Sequence, residues 1–298
     1  MELPKIITVV GTNASGKSSI GIELTKIFNG EIISADSRQI YRGFDLCSGK
    51  VTSDERRIAQ HHLIDIKDIG EPFSAFAFQE MAYHIISQIL KRDKVPFIVG
   101  GTGQYVESVV YGYTSPGKSD DMELRNKLDK LPLDELQSMI PPKAKNSFNQ
   151  SDFQNRRRLI PAIMKIACGE SLDHKNVVRY NSLQLGVTWT KEVLHKLIDE
   201  RLSSRIRDGM IDEVKMYLDN GGNQEYLYNL GLEYRYILWY LTGKYQSPDE
   251  FKLEMSRAIK RFAKRQMTWF KRDKSIQWLD MNKNYLGQAS SLISDFLG

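Results

Sequence analysis

The sequence predicts an α/β protein: a P-loop-containing parallel sheet core flanked by helices, with an inserted helical domain. Three observations carry this. Short β-branched apolar runs alternate with helical patterns through the N-terminal third, the signature of a doubly wound sheet. The first of these runs opens directly onto the glycine loop Gly11-Thr12-Asn13-Ala14-Ser15-Gly16-Lys17-Ser18. Strand patterns then vanish between about residues 115 and 180 and return at Ser182–Val187.

Taken in order, Lys5–Val10 reads as a buried strand, and Ile20, Leu24, Ile27 and Phe28 recur after the loop at helical spacing. Strand, glycine loop and helix in that order are the context that makes G-x-x-x-x-G-K-[ST] a P-loop. Its glycines let backbone N–H groups turn inward as an anion nest, and the helix N-terminus adds partial positive charge. Lys17 can reach a terminal phosphate, and the Ser18 hydroxyl can ligate Mg²⁺. Glu31–Ser34 is a second strand that ends in Ala35-Asp36-Ser37-Arg38-Gln39-Ile40-Tyr41. Polar groups bunched where a strand runs out suit the ligand edge of an open α/β sheet. His62–Ile66 is a candidate third strand. Ser74 caps a helix to Leu90, with Phe78, Met81, Ala82, Ile85, Ile86 and Ile89 as its apolar stripe. Val95–Val99 is a further strand, ending in Gly100-Gly101-Thr102-Gly103 rather than in the magnesium-holding Asp of a P-loop ATPase. That tip counts against a motor or a hydrolytic switch. Thr102 could bond a phosphate oxygen or a nucleotide; a plain tight turn explains Gly100 and Gly101 equally well.

Within 115–180 short helical patterns appear, at Met122–Leu131 and Leu133–Ile140. Lys143, Lys145, Arg156, Arg157 and Arg158, interleaved with Phe148 and Phe153, suit either a nucleic-acid surface or a solvated helix face. The C-terminal third is mostly helical. Lys191–Arg207 turns Val193, Leu194, Leu197, Ile198, Leu202 and Ile206 inward, and Arg201 shares that register, so it either snorkels or reaches a buried anion. In Phe251–Phe270 the stripe is Met255, Ile259, Phe262, Gln266 and Trp269. Nine basic residues lie between Lys252 and Lys274 against Glu254 and Asp273, a net +7. A field of that strength suits phosphate backbone better than a membrane surface.

Composition sets the bounds. The 298 residues are 41% hydrophobic with a net charge of +5 and a pI of 8.9, enough for a real core and compatible with a polyanionic partner. No apolar run approaches the length of a membrane span, and the chain enters a strand almost at once, so neither membrane nor secretory signal is expected. Cys47 and Cys168 match no metal spacing and read as free thiols in a cytoplasmic protein.

Several separated motifs agree on a family. In order they are the P-loop, Ile32–Gly43 with its D-S-x-Q-x-Y, His61-His62-Leu63-Ile64-Asp65, Val99–Gly103, and Ala263-Lys264-Arg265-Gln266-Met267-Thr268-Trp269-Phe270. The chain resembles the bacterial tRNA dimethylallyltransferases nearly end to end. The resemblance implies transfer of a dimethylallyl group from dimethylallyl diphosphate to N6 of the adenosine 3′ of the anticodon, by a monomer using Mg²⁺, without consuming ATP. It implies that Thr12–Ser18 cradle the diphosphate and Ser18 the metal. Lys17 and Arg201 would neutralise the leaving group, and Asp36 would accept the proton from, or orient, the N6 amine. Thr102 and Arg125 would contact tRNA at the reaction channel. Asp36, Ser37, Arg38, Gln39, Arg157 and Arg158 would touch the substrate loop. The 115–180 insertion would grip the anticodon stem-loop, and Arg257 and Arg261 are expected on its phosphates. Departures from the family pattern occur at Ser18, Cys47–Val51, Gln104, Pro161–Met164 and Leu230–Tyr234, mostly on the expected tRNA side. The competing readings are a P-loop phosphotransferase acting on a small metabolite, which leaves the basic helix unexplained, and a non-catalytic RNA-binding protein, for which Asp36 and Arg201 are dispensable.

Overall fold

The computed structural model describes residues 2–113, 121–169, 172 and 177–298. Among these, six strands form one parallel sheet: β1 (Lys5–Gly11), β2 (Gly30–Ser34), β3 (His61–His62), β4 (Val95–Gly100), β5 (Asn181–Thr188) and β6 (Gln277–Asp280). Their order is β3-β2-β4-β1-β5-β6. Parallel neighbours need crossovers, which the helices Lys17–Ile27 and Ala75–Leu90 supply. Ile6, Ile7, Val9 and Val10 are fully buried, as expected of a central strand covered on both faces. The order also sets the carboxyl ends of β2, β4 and β1 side by side. Each of those ends opens into one of the motif loops.

The chain divides into two units, Met1–Val110 with Arg179–Gly298, and Tyr111–Val178. The expected boundary at 115 lies outside the described residues. In the first unit one apolar cluster packs the sheet against Lys17–Ile27 and the C-terminal helix Tyr285–Leu297. A second joins Ile40, Phe44 and Cys47 to Ile198, Leu202, Tyr234, Phe251 and Met255 of the helical C-terminal part. The Tyr111–Val178 unit has its own core of Leu128, Leu136, Ile140, Leu159 and Ile163.

Several local expectations are corrected. The third strand stops after His62, because Leu63 and Asp65 take left-handed φ of 61° and 57°. β6 carries no clear sequence signal: a four-residue edge strand is too short for a pattern. Helix faces shift as well. Ile27, Met81 and Phe262 are exposed, while Gln79, Tyr83, Ala258 and Ala263 take interior places. In the inserted unit the first helices are Met122–Leu128 and Leu133–Ser138. Phe148 and Phe153 pack edge to face, 6.0 Å apart, against the local core rather than standing free for bases. Arg156 is likewise committed: it donates to the carbonyls of Leu128, Asp129 and Leu131, closing the end of Met122–Leu128.

At the amino ends of the strands a buried carboxylate ties β2 to its surroundings. Glu31 accepts from His62 Nε2 at 2.7 Å, Arg92 Nη2 at 2.7 Å and Lys94 Nζ at 3.0 Å. Burial alone would raise its pKa; these three donors instead hold it down at about 2. A depressed carboxylate stabilises the fold above its unfolded pKa and loses that contribution as pH falls through the folded one. Glu31→Gln should therefore cost about 2–4 kcal/mol near neutrality, as for removal of one partner from a largely buried ion pair. The gap from the parent should narrow between about pH 4.5 and 2. Urea denaturation at a series of pH values measures it; a gap that stayed constant in acid would contradict the assignment.

Candidate active site

The phosphate loop leaves β1 at Gly11 and enters the helix at Lys17. Ala14 and Gly16 take φ of 59° and 85°, turning successive N–H groups to one side as a nest requires. The loop is tied down at three points. Asn13 N–H donates to Gln266 Oε1 at 2.8 Å, Trp189 Nε1 donates to the Ser15 carbonyl at 3.0 Å, and Ser15 N–H donates to the Thr12 carbonyl at 3.3 Å. Gln266 also donates to the Gly101 carbonyl at 2.9 Å, so one side chain of the Pro248–Phe270 helix joins the β1 and β4 loops. A Cβ on Gly103 would collide with the Trp269 ring, three residues along the same helix. Gln266 belongs to the predicted stripe; nothing in its residue type announces this bridging.

Beside the loop lies a cavity of about 420 Å³, lined among others by Gly16, Lys17, Ser18, Gly49, Glu55 and Arg201. A much smaller recess of about 10 Å³ lies against it, where Lys17 and Ser18 meet Asp36, Gln39 and His61. The predicted diphosphate residues and Asp36 are thus brought together at one sheet edge. Asp36 Oδ1 accepts the Arg38 N–H at 2.9 Å, so the carboxylate also caps its own turn. Thr102 Oγ1 accepts the Ser37 N–H at 3.0 Å and sits 3.3 Å from Ser37 Oγ, locking the β4 loop to the β2 loop. Gln39 is buried. It spans from Ser34 Oγ at 3.1 Å to the Gly49 carbonyl at 3.2 Å, so its part here is to hold the loop.

Lys17 and Arg201 bring two cations to the cavity, which Glu55 and Glu200 also line. Among the described residues Lys17 Nζ donates only to the Thr12 carbonyl, at 3.3 Å. Burial drives its pKa down to about 8; Asp36 opposes the shift and Arg201 adds to it. Arg201 donates to the Gly49 carbonyl at 3.2 Å, and burial together with neighbouring Arg205 brings it to about 10. Lys50, by contrast, is neutralised, bonding Asp45 and Asp65 at 2.6 Å each. Among the described residues no cluster of three His, Cys, Asp or Glu side chains could hold a metal by itself. The Ser18 hydroxyl and the Asp36 carboxylate are hard oxygen donors around one recess, a set that suits Mg²⁺ arriving with phosphate oxygens and water.

The remaining predicted residues are not among those lining this cavity. Arg38 lies beside Gly231. Arg125, Arg157 and Arg158 are exposed on the Tyr111–Val178 unit, Arg158 lying 3.6 Å from Asp152. Arg257 and Arg261 are exposed on Pro248–Phe270, Arg257 paired with Glu254 at 2.6 Å. Lys260, on the same helix, bonds Asp199 at 2.6 Å and is lost to the basic face. Sequence reasoning missed Arg205, although it shares the face of Arg201 one turn on, where the same argument from register applied.

A model of the IPP transferase family matches residues 39–273. The chain is 38% identical over 297 residues to a tRNA dimethylallyltransferase 2 of Shewanella sediminis, covering 97% of this chain and 98% of that one. It is 36% identical to a tRNA dimethylallyltransferase 2 of Citrifermentans bemidjiense, over 98% and 96% of the two chains. The crystal structure of a tRNA isopentenylpyrophosphate transferase from Bacillus halodurans matches with a TM-score of 0.74 at 33% identity, over 98% of this chain and 96% of its own. A eukaryotic dimethylallyltransferase acting on tRNA shares the fold, with a TM-score of 0.81 at 22% identity, over 99% of this chain and 79% of its own. With nearly its whole length matched, and its phosphate loop and Asp36 gathered at one sheet edge, the chain belongs to the IPP transferase family.

Proposed function

We propose that this protein transfers the dimethylallyl group of dimethylallyl diphosphate to N6 of the adenosine 3′ of the anticodon in tRNA, releasing diphosphate. The observation that carries the reading is Asp36 beside Lys17 and Ser18: a carboxylate for the amine adjoins a cationic cradle for the leaving group. A phosphotransferase would use the same loop, but the relatives matched along the whole chain are prenyltransferases.

An exocyclic adenine amine is a weak nucleophile, because its lone pair is delocalised into the ring. Catalysis must come from a well-stabilised leaving group and from positioning. The loop amides of Thr12–Ser18, Lys17 and Arg201 hold the diphosphate. They meet the charge that grows on it as the allylic C–O bond breaks and the C–N bond forms. Mg²⁺, when held by Ser18 with diphosphate oxygens and water, supplies further neutralisation of that charge. Asp36 orients the amine and takes the proton it releases. Thr102 and Ser37, bonded to each other, fix the wall on which the base rests. A stacked base could not reach this recess, so the adenosine enters flipped out. Arg38, Arg125, Arg157, Arg158, Arg257 and Arg261 are the cations assigned to the RNA, the inserted unit taking the anticodon stem-loop. A monomer suffices, since one chain supplies Lys17, Asp36, Thr102 and Arg201. A tRNA substrate and two free thiols fit a cytoplasmic setting. Among the described residues no helix is long and apolar enough to cross a membrane.

Incubation with unmodified total tRNA and labelled dimethylallyl diphosphate, followed by nucleoside analysis, tests the reading; absence of a labelled prenyl-adenosine would refute it. Asp36→Asn should keep the fold and diphosphate binding yet lose about 10²–10⁴ in turnover, the usual worth of a positioned base. Turnover within a few-fold of the parent would remove Asp36 from that role.

Lys17 supplies a pH prediction. Its folded pKa lies below the ordinary 10.5, so the unfolded chain binds more protons between about pH 8 and 10.5. Stability from this group therefore rises with pH across that window. Ligand-free Lys17→Met should be more stable than the parent at pH 7, with the margin shrinking above pH 8. It should also bind diphosphate poorly. Urea melts of both proteins across the window decide it; a constant margin would mean Lys17 is not buried charged.

Phosphate contacts predict a salt dependence. Each cation on duplex stem contributes close to one unit to the slope of log affinity against log salt. Replacing Arg257 and Arg261 by Ser should lower that slope by roughly one to two units and weaken all tRNAs alike. Filter binding at several salt concentrations measures it; an unchanged slope would leave both arginines as a solvated face.

A further inference from the structure

The cavity has a second guanidinium behind the first. Arg205 lies one turn after Arg201 on Lys191–Arg207 and is only 8% exposed. Its Nη2 donates to the Cys47 carbonyl at 3.0 Å, and its Nε is buried with no hydrogen-bond partner among the described residues. Among the described residues neither arginine forms an ion pair with a carboxylate. Gly49 separates them from the loop: with φ of +61° and no Cβ, it lets both Nη2 groups press against it, and a Cβ there would run into both. The turn that receives them is braced at its start: Glu213 accepts the Leu46 and Cys47 N–H groups at 2.8 and 2.9 Å, and the Cys47 carbonyl accepts from Arg205. Gln39 holds the Gly49 carbonyl that Arg201 also uses.

Two like charges in an interior, hydrogen-bonded among the described residues only to carbonyls and with Asp36, Glu233 and Glu55 near Arg201 but not paired with it, are an unfavourable arrangement for a protein standing alone. Arg201 lines the cavity and Arg205 does not. We infer that Arg205 is a positioning residue for the leaving group: its buried charge, held off by the Cys47 carbonyl, keeps the Arg201 guanidinium facing the cavity and leaves the site short of negative charge until diphosphate arrives. The lowered pKa of Arg201, to which Arg205 contributes, agrees with that geometry. The inference rests on the reading of the cavity as a diphosphate site. It differs from a packing role in one sign: a packing arginine stabilises the empty protein, whereas this one weakens it.

The test uses inorganic diphosphate with Mg²⁺ as probe, by calorimetry, alongside melting of the ligand-free protein. Arg205→Met keeps the stem and removes the charge. It should leave the ligand-free melting temperature unchanged or raised, weaken diphosphate binding about tenfold, and raise KM for the prenyl donor with KM for tRNA unchanged. Arg205→Lys keeps a charge without the planar fork and should retain affinity within about threefold. It also serves if the Met variant does not fold. Diphosphate affinity unchanged in Arg205→Met, or lost as fully in Arg205→Lys, would overturn the inference while leaving the diphosphate site standing. Failure of the parent protein to bind diphosphate would overturn the reading of the cavity and the inference with it.

Discussion

Positive charge held inside the protein without its partner is the constraint on which the rest of the structure turns. Lys17 and Arg201 face a cavity at the carboxyl edge of the sheet, and Arg205 stands behind them. Their contacts are to carbonyls. A flexible scaffold would relax by swinging such side chains into water, so the fold must prevent it. The parallel sheet does so at one end, by planting the Lys17 helix directly after β1. The helix Lys191–Arg207 does so at the other, by placing both arginines on a face packed through Ile198 and Leu202.

The stability that offsets this strain lies elsewhere. Glu31, at the amino ends of the strands, gathers three donors, Arg92 and Lys94 among them as cations, around a buried carboxylate, the reverse of the arrangement at the site. Lys50 is likewise matched by Asp45 and Asp65. At Glu31 and Lys50 charge is matched by opposite charge, whereas Lys17, Arg201 and Arg205 are bonded to carbonyls where an anionic substrate is proposed to bind. Active sites commonly carry this kind of unmet demand, at a cost in stability.

Much of this was legible in the sequence. The phosphate loop announces itself because strand, glycine loop and helix are contiguous, and Asp36 stands out because it follows a strand end. Helix Lys191–Arg207 is read to the residue, since its apolar period is regular, and in the structure Thr190 caps it. What was not legible depends on contacts distant in sequence. Gln266 joins two loops from 253 and 165 residues away, and a lone glutamine in an apolar stripe carries no sign of that. Phe148, Phe153 and Arg156 looked like an RNA surface because charge and aromatic content do not report which groups are already used. The end of β3 was missed because left-handed turns at Leu63 and Asp65 are not written in those residue types.

The same distinction explains where the chain departs from its family pattern. Around Cys47–Val51, Gly49 and Lys50 act through their own chemistry, one by lacking a Cβ and one as a buried ammonium, whereas Cys47 serves the arginine through its carbonyl, which any residue supplies. Met164 is buried in the core of the inserted unit, and Pro161 lies on the exposed side of its helix. Tyr234 is 1% exposed and packs edge to face on Phe44, 5.1 Å away. Gln104 is exposed after the β4 loop, clear of the bonds that Thr102 makes. Of these positions Cys47, Met164 and Tyr234 are core and Pro161 and Gln104 are exposed, and none of them is Lys17, Asp36 or Arg201. A sequence can drift widely in such places, because packing tolerates substitution of similar volume and a peptide carbonyl is indifferent to its side chain.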